Sequence, residues 1–284
     1  YQQQGDFSSA IASYKKVFES KPSCPNASIN IGHCLLSLKN YSEGWKLYEY
    51  RQFKSELPSL PHAQPRSQRW CGDLPSNGSK DLLVVSEQGL GDTLQFMRYV
   101  IALRQQGANV SICAQEKLHT LIKASGIDQS PLKSQQACNI SRGEWIPLLS
   151  VPRYLDVSPD NPIIAEPYIK TTNELVTKWN NILSAEQRPI IGLNWQGNPE
   201  AEKTGLHGRS LPLEAFAPIA EHTNASLLSL QKGFGSEQLQ TCSFKQRFVN
   251  CQHQVDKTWD FLETAAIIAN CDLVITSDTA VAHL

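Results

Sequence analysis

The sequence is short of the signatures that most readily assign a function. It has no C-x-x-C pair, no H-x-x-x-H or H-E-x-x-H pattern, and its seven histidines are scattered. No metal site is therefore expected. No G-x-S-x-G turn occurs, which removes the serine-hydrolase elbow. Neither G-x-x-x-x-G-K-[ST] nor G-x-G-x-x-G is present, which argues against a P-loop and against a dinucleotide fold of the usual kind. No run approaches the ~18 apolar residues of a membrane helix, so no membrane span is expected. Charge is balanced, 26 Lys and Arg against 27 Asp and Glu. That excludes the broad basic face of a nucleic-acid partner.

What is present describes a folded globular chain, 40% hydrophobic and 19% charged. Eight cysteines are scattered through apolar segments. They read as reduced thiols of a cytoplasmic protein, not a disulfide scaffold. Asn109, Asn139 and Asn224 begin sequons, but Asn109 and Asn224 border apolar strand-like runs, so these read as chance matches. The chain opens at Tyr1 without a methionine and stops shortly after a turn at Asp278, which suggests a fragment with an incomplete last lobe.

Residues 1–55 read as helices with an offset of 34: Phe7 recurs as Tyr41, Ala10 as Gly44 and Tyr14 as Tyr48. That is tetratricopeptide spacing, with Gly32 at a small position of a first helix where helices approach closely. Residues 56–79, with Pro58, Pro61, Pro65 and Pro75, read as a linker anchored by Trp70. From Lys80 the pattern alternates. Strands are expected at 81–86, 109–114, 189–195, 225–230, 247–251 and 272–276. Helices are expected at 92–106, 116–125, 171–184, 212–222, 235–240 and 260–270, with 145–149 as an edge strand or loop wall. The rhythm restarts at 189, so the fold class is α/β with two lobes, 80–170 and 171–284.

The sharpest segment is Glu87-Gln88-Gly89-Leu90-Gly91-Asp92-Thr93-Leu94-Gln95-Phe96, followed by Arg98-Tyr99. An apolar strand feeds a two-glycine turn and then a helix, the place where open α/β sheets bind ligands. Asp92 has two readings. It is an N-cap accepting backbone N–H groups, or a carboxylate that takes a proton from an attacking hydroxyl. The two are compatible. A second strand end, Asp272–Thr276, leads into Ser277-Asp278-Thr279-Ala280-Val281-Ala282-His283. Exposed N–H groups and the Thr279 hydroxyl there suit a phosphate, unless Asp278 points inward. A third is Gly192-Leu193-Asn194-Trp195-Gln196-Gly197-Asn198, with Lys203, His207 and Arg209-Ser210 downstream. Arg209 has the fork geometry for phosphate oxygens. Ser229-Leu230-Gln231-Lys232-Gly233 repeats the strand-end, amide, cation, glycine order. Strands of a parallel sheet end on one side, so these polar ends suggest a single cleft.

Taken together, these motifs resemble bacterial tetratricopeptide-repeat proteins fused to a glycosyltransferase domain of the ADP-heptose:lipopolysaccharide heptosyltransferase type. The resemblance also includes Trp70-Cys71-Gly72 and Asp260-Phe261-x-x-Thr264-Ala265-Ala266, and it spans nearly the whole chain. It implies a GT-B fold with two Rossmann-like lobes behind repeat helices. It also implies an inverting, metal-independent hexosyl or heptosyl transfer from a nucleotide-diphosphate sugar, with no other cofactor. In that picture Asp92 is the base, and Glu87, Gln88, Gly89, Gly91, Gln95 and Arg98 form an acceptor-side loop. The donor falls to Trp195, Gln196, Gly197, Arg209, Gln231, Lys232, Asp278, Thr279, Ala280 and His283. The acceptor would be a glycan, a lipid-linked sugar or a protein, and the repeat helices would offer a surface to a protein partner. The competing reading is a non-catalytic tetratricopeptide scaffold carrying a regulatory or degenerate nucleotide-sugar-binding domain.

Overall fold

The computed structural model describes residues 1–21, 24–54, 61–72, 80–163, 166–204 and 208–284. The chain divides into two units: Tyr1–Glu116 with Ile127–Tyr168, and Lys117–Gly126 with Ile169–Leu284.

The first unit begins with α1 (Phe7–Ser20), α2 (Pro25–Ser37) and α3 (Tyr41–Tyr48). Asp6 starts α1 by accepting from Ser9 N at 3.1 Å, and proline at its first position starts α2. α2 is the buried member of the three, through Ala27, Ile29, Ile31 and Cys34. Gly32 does mark a close approach, but on the second helix, where it faces α3. A Cβ there would lie 3.0 Å from Tyr48 N and 3.1 Å from Gly44 O. The helix arrangement does not show the expected tetratricopeptide pattern. α3 has 8 residues against 14 in α1, and it tightens into a 3-10 segment at Glu49–Phe53 instead of opening a second like pair. These helices also group with the first α/β sheet and not as a separate domain.

That sheet contains β1 (Gln68–Arg69), β2 (Lys80–Val85), β3 (Ala108–Cys113) and β4 (Glu144–Pro147), all parallel, in the order β1-β4-β2-β3. Leu83 of β2 pairs with Ser111 and Trp145 on its two sides. β2 is central, and its run Leu82-Leu83-Val84-Val85 is buried on both faces, as a middle parallel strand requires. Part of the stretch read as a linker belongs to this sheet. Gln68–Arg69 is its edge strand and Trp70 is 1% exposed, its ring 5.2 Å from that of Tyr154. The segment 145–149 is correspondingly an internal strand through Pro147, flanked by β1 and β2, that runs into a 3-10 turn at Leu148–Ser150, and not an edge.

The helix expected at 92–106 is two pieces, α4 (Leu90–Phe96) and α5 (Arg98–Gln105). β3 leads to α6 (His119–Ala124), which groups with the second unit, where Thr120 Oγ1 donates to Asp260 Oδ1 at 2.9 Å. α7 (Ser134–Cys138) and α8 (Val151–Tyr154) complete the first unit. The lobe boundaries expected at 80 and 170 are thus redrawn: the unit starts at Tyr1, and 117–126 leaves it.

The second unit holds α9 (Asn173–Leu183), β5 (Ile190–Asn194), α10 (Pro199–Thr204), α11 (Ala217–His222), β6 (Ser226–Ser229), α12 (Gln252–Asp256), α13 (Phe261–Ile268), β7 (Leu273–Thr276) and α14 (Ala280–His283). Its sheet is parallel in the order β6-β5-β7. One face packs Trp179 and Leu183 of α9 with Ile267 of α13, and the other packs Trp195, Leu213 and Phe216. The strand expected at 247–251 is only a bridge between Leu227 and Phe248. All eight cysteines are free; Cys34, Cys113, Cys242 and Cys251 are buried, whereas Cys71 is exposed. Among the described residues no helix is long and apolar enough to cross a membrane.

Candidate functional site

Each unit places polar residues at the carboxyl ends of its parallel strands. In the first unit this is the turn between β2 and α4. Gly89 caps α4, and Asp92 is its third residue, not its cap residue as expected. The Asp92 carboxylate reaches back and accepts from Gly89 N at 2.9 Å, the return half of a capping box. The side chain is half-buried. Gly89 is exposed, and Gly91 half-buried, so the turn presents backbone at the surface.

Two residues assigned to an acceptor-side loop have other duties. Glu87 is 0% exposed; its Oε1 accepts from Arg51 Nη2 at 2.7 Å and Leu149 N at 3.1 Å, and its Oε2 from Arg51 Nε at 3.1 Å. It is a buried ion-pair partner and touches no surface an acceptor can reach. Arg98 donates to Gln95 O at 2.8 Å and lies over the Tyr168 ring at 5.6 Å. Gln95 contributes through that carbonyl, which also accepts from Tyr168 Oη at 3.3 Å. Gln88 remains at the turn, half-buried, with Nε2 donating to Tyr48 Oη at 2.8 Å.

In the second unit three strand ends converge. Gln231, 3% exposed, ties two of them together. Its Oε1 accepts from Asn194 Nδ2 at 3.0 Å, Trp195 N at 3.1 Å and Gln196 N at 3.0 Å. Its Nε2 donates to Gln196 O at 2.9 Å and Phe234 O at 2.6 Å. Asn194 Oδ1 then accepts from Thr279 Oγ1 at 2.7 Å, joining β5 to the start of α14. The third link is Arg209, whose Nη1 donates to Asp278 O at 3.3 Å and whose Nε lies 3.6 Å from Glu202 Oε1. Gly197 makes room for that guanidinium: a Cβ there would stand 2.6 Å from Arg209 Nε.

Several residues expected at a donor therefore act behind the surface. Trp195 is 0% exposed in the core and donates from Nε1 to Gly235 O at 3.2 Å, so it offers no face to a ligand. Gln231 shapes the loops from within. Lys232 is half-buried and its ammonium is bonded to Val255 O; burial lowers its pKa from the ordinary value. Gln196 is held by Gln238 Nε2 at 3.1 Å on its Oε1. Asp278 is exposed and does not cap α14, whose N-cap is Thr279; Ala280 and His283 are half-buried on that helix. His207 lies outside the described residues.

Two buried side-chain donors here lack a hydrogen-bond partner, Arg209 Nε and Ser277 Oγ. In the second unit, among the described residues, these are the two such atoms found. Buried donors normally find an acceptor, and Ser277 adjoins Asp278, whose O accepts from Arg209 Nη1. Among the described residues no group of three His, Cys, Asp or Glu stands together to hold a metal ion.

Arg51, Tyr48 and Asn194 were not assigned to a site from the sequence. Asn194 ends a strand beside Trp195, which is a usable signal. Arg51 and Tyr48 meet their partners 36 and 40 positions away and carry none.

No protein-family model and no curated protein matches the sequence. Among solved structures, the chain is similar to the glycosyl transferase family 9 protein from Veillonella parvula DSM 2008, at 13% identity and a TM-score of 0.53, over 74% of this chain and 79% of that one. E. coli ADP-heptose lps heptosyltransferase II aligns at 12% identity and a TM-score of 0.43, over 71% of this chain and 80% of that one. The first likeness establishes the fold as α/β with two lobes, of GT-B type.

Proposed function

We propose that this chain transfers a sugar from a nucleoside-diphosphate donor to an acceptor hydroxyl, with inversion and without a metal. The observation that carries the reading is the Arg209 guanidinium at the converging strand ends of the second unit, whose buried Nε has no hydrogen-bond acceptor although it lies 3.6 Å from Glu202 Oε1. A diphosphate oxygen would give Arg209 Nε an acceptor, and the guanidinium would offset the charge that grows on the departing diphosphate. Thr279, Ala280 and Gln196 would face the rest of the donor.

Asp92 is the proposed base. It would take the proton from the acceptor hydroxyl as that oxygen attacks the anomeric carbon. The carbon–oxygen bond to the diphosphate breaks, and its electron pair leaves with the nucleoside diphosphate. The cap bond from Gly89 N fixes one carboxylate oxygen and so orients the group. The acceptor is a hydroxyl of a glycan, a lipid-linked sugar or a protein.

One observation favours the non-catalytic alternative: Asp92 is already used as a helix cap. Incubating the chain with radiolabelled nucleotide sugars separates the two. Transfer or hydrolysis that disappears in Asp92→Asn while donor binding persists supports the base. Donor binding with turnover equal in wild type and Asp92→Asn leaves Asp92 as a cap only, and no binding of any donor removes the enzyme.

A further inference from the structure

The turn carrying Asp92 is held from outside its own βα unit. Ser86, the residue after β2, is fully buried, and its O accepts from His62 N at 2.9 Å while its Oγ lies 2.8 Å from His62 Nδ1. Glu87 is gripped by the two-pronged Arg51 contact. Gln88, with φ +61°, sits in the left-handed region, and its amide is tethered to Tyr48 Oη. A non-glycine residue there carries strain of roughly 1–2 kcal/mol, which persists only where surroundings over-determine it. His62, Arg51 and Tyr48 all precede β2 in the chain. They belong to the segments expected to be a repeat module and a linker.

A packing role alone would call for apolar contact. α3 has that already, with Trp45 edge-on to Phe96 of α4 at 6.3 Å and 88°. A buried ion pair contributes little net stability compared with an apolar pair, but it holds one geometry. Tyr48 is near enough to Asp92 for that carboxylate to affect its phenol, which burial pushes up to about 12.

We propose that Arg51 and Tyr48 are positioning residues for the β2–α4 turn: by fixing Glu87 and the left-handed Gln88 they set where the Asp92 carboxylate stands. The helical segment is then part of the acceptor-side machinery and not an appended module. This rests on the reading of Asp92 as the base, and the test separates the two.

The variants are Tyr48→Phe, which deletes one hydroxyl, and Gln88→Gly, which removes the strain and the tether together. Arg51→Lys keeps the charge without the fork. Backbone hydrogen exchange of residues 86–93 is measured on the full chain, with donor kcat and KM for ADP-, UDP- and GDP-sugars. Exchange at 86–93 is expected to rise about 3–10-fold in Tyr48→Phe, the worth of one hydrogen bond, with peptides of the second unit unchanged. Turnover falls by a similar factor with donor KM constant, and Arg51→Lys shows a smaller loss than Arg51→Met. Unchanged exchange in both Tyr48→Phe and Gln88→Gly overturns the inference. So does raised exchange with kcat unchanged in an active enzyme. Raised exchange with no turnover even in wild type supports the fixing of the turn and refutes the proposed reaction.

Discussion

Replacing Arg51 with methionine strands a charge in the core of the first unit. Arg51 is 1% exposed and makes five hydrogen bonds: two to Glu87, and one each to Tyr48 O, Glu49 Oε1 and Ser150 Oγ. Glu87, fully buried, would retain only Leu149 N as a partner. Breaking one side of such a pair costs about 3–5 kcal/mol, a large fraction of the ~5–15 kcal/mol that holds a domain folded. Glu87→Leu should cost less, about 1–3 kcal/mol, because Arg51 keeps Glu49 Oε1, Tyr48 O and Ser150 Oγ. Replacing both at once removes the buried pair and leaves Leu149 N short of a partner, while Ser150 Oγ keeps Gln52 Nε2 at 3.1 Å and Glu49 keeps Gln52 and Arg69 on its Oε2. The double variant should therefore lie within about 2 kcal/mol of wild type, a coupling of at least about 2 kcal/mol. Urea dependence of hydrogen exchange, read on peptides from β2 and β3, reports the unit's stability separately from its neighbour's. Single variants within about 1 kcal/mol of wild type, or a double variant equal to the sum of its singles, would refute the buried-pair argument.

Three further outcomes are expected. Gly32→Ala puts a methyl against the α3 backbone at 3.0 and 3.1 Å, so despite its better helix propensity it should lower the melting temperature, by the equivalent of about 1–3 kcal/mol. Gly197→Ala displaces the Arg209 guanidinium from its site, so nucleoside-diphosphate affinity measured by calorimetry should fall roughly tenfold while the melting temperature moves little. His62, half-buried, is held below its ordinary pKa of 6.5, first by burial. The unfolded chain takes up a proton near 6.5 that the fold refuses, so its contribution to stability is complete above that value and shrinks as pH falls through it. The melting temperature of the first unit should drop between about pH 7.5 and 5.5, and less steeply in His62→Gln.

The strands were legible wherever an apolar run meets a turn signal. β2, β3, β5, β6 and β7 all appear within a residue or so of their expected places. The strand ends of the second unit do converge, because parallel strands must end together, and Gln231 and Thr279 are the residues that join them. What could not be read is which polar residue faces outward. Trp195 and Glu87 stand in motif positions, yet burial is decided by neighbours distant in sequence: Gly235 for one, Arg51 for the other. An arginine on an amphipathic helix ordinarily reads as a solvated face, so Arg51 gave no warning. The same holds for β1, two residues long inside a proline-rich stretch and visible only through its pairing with β4. The 34-residue offset matched aromatic positions without a repeated helix pair behind them.

The most direct test of the central claim is equilibrium binding of ADP, UDP and GDP to the intact chain and to Arg209→Ala. Losing a charge-assisted contact worth about 1.5–3 kcal/mol predicts roughly 10–100-fold weaker binding of whichever diphosphate the wild type holds. Equal affinity in both proteins, or no diphosphate bound by either, would contradict the assignment of the converging strand ends as a donor site.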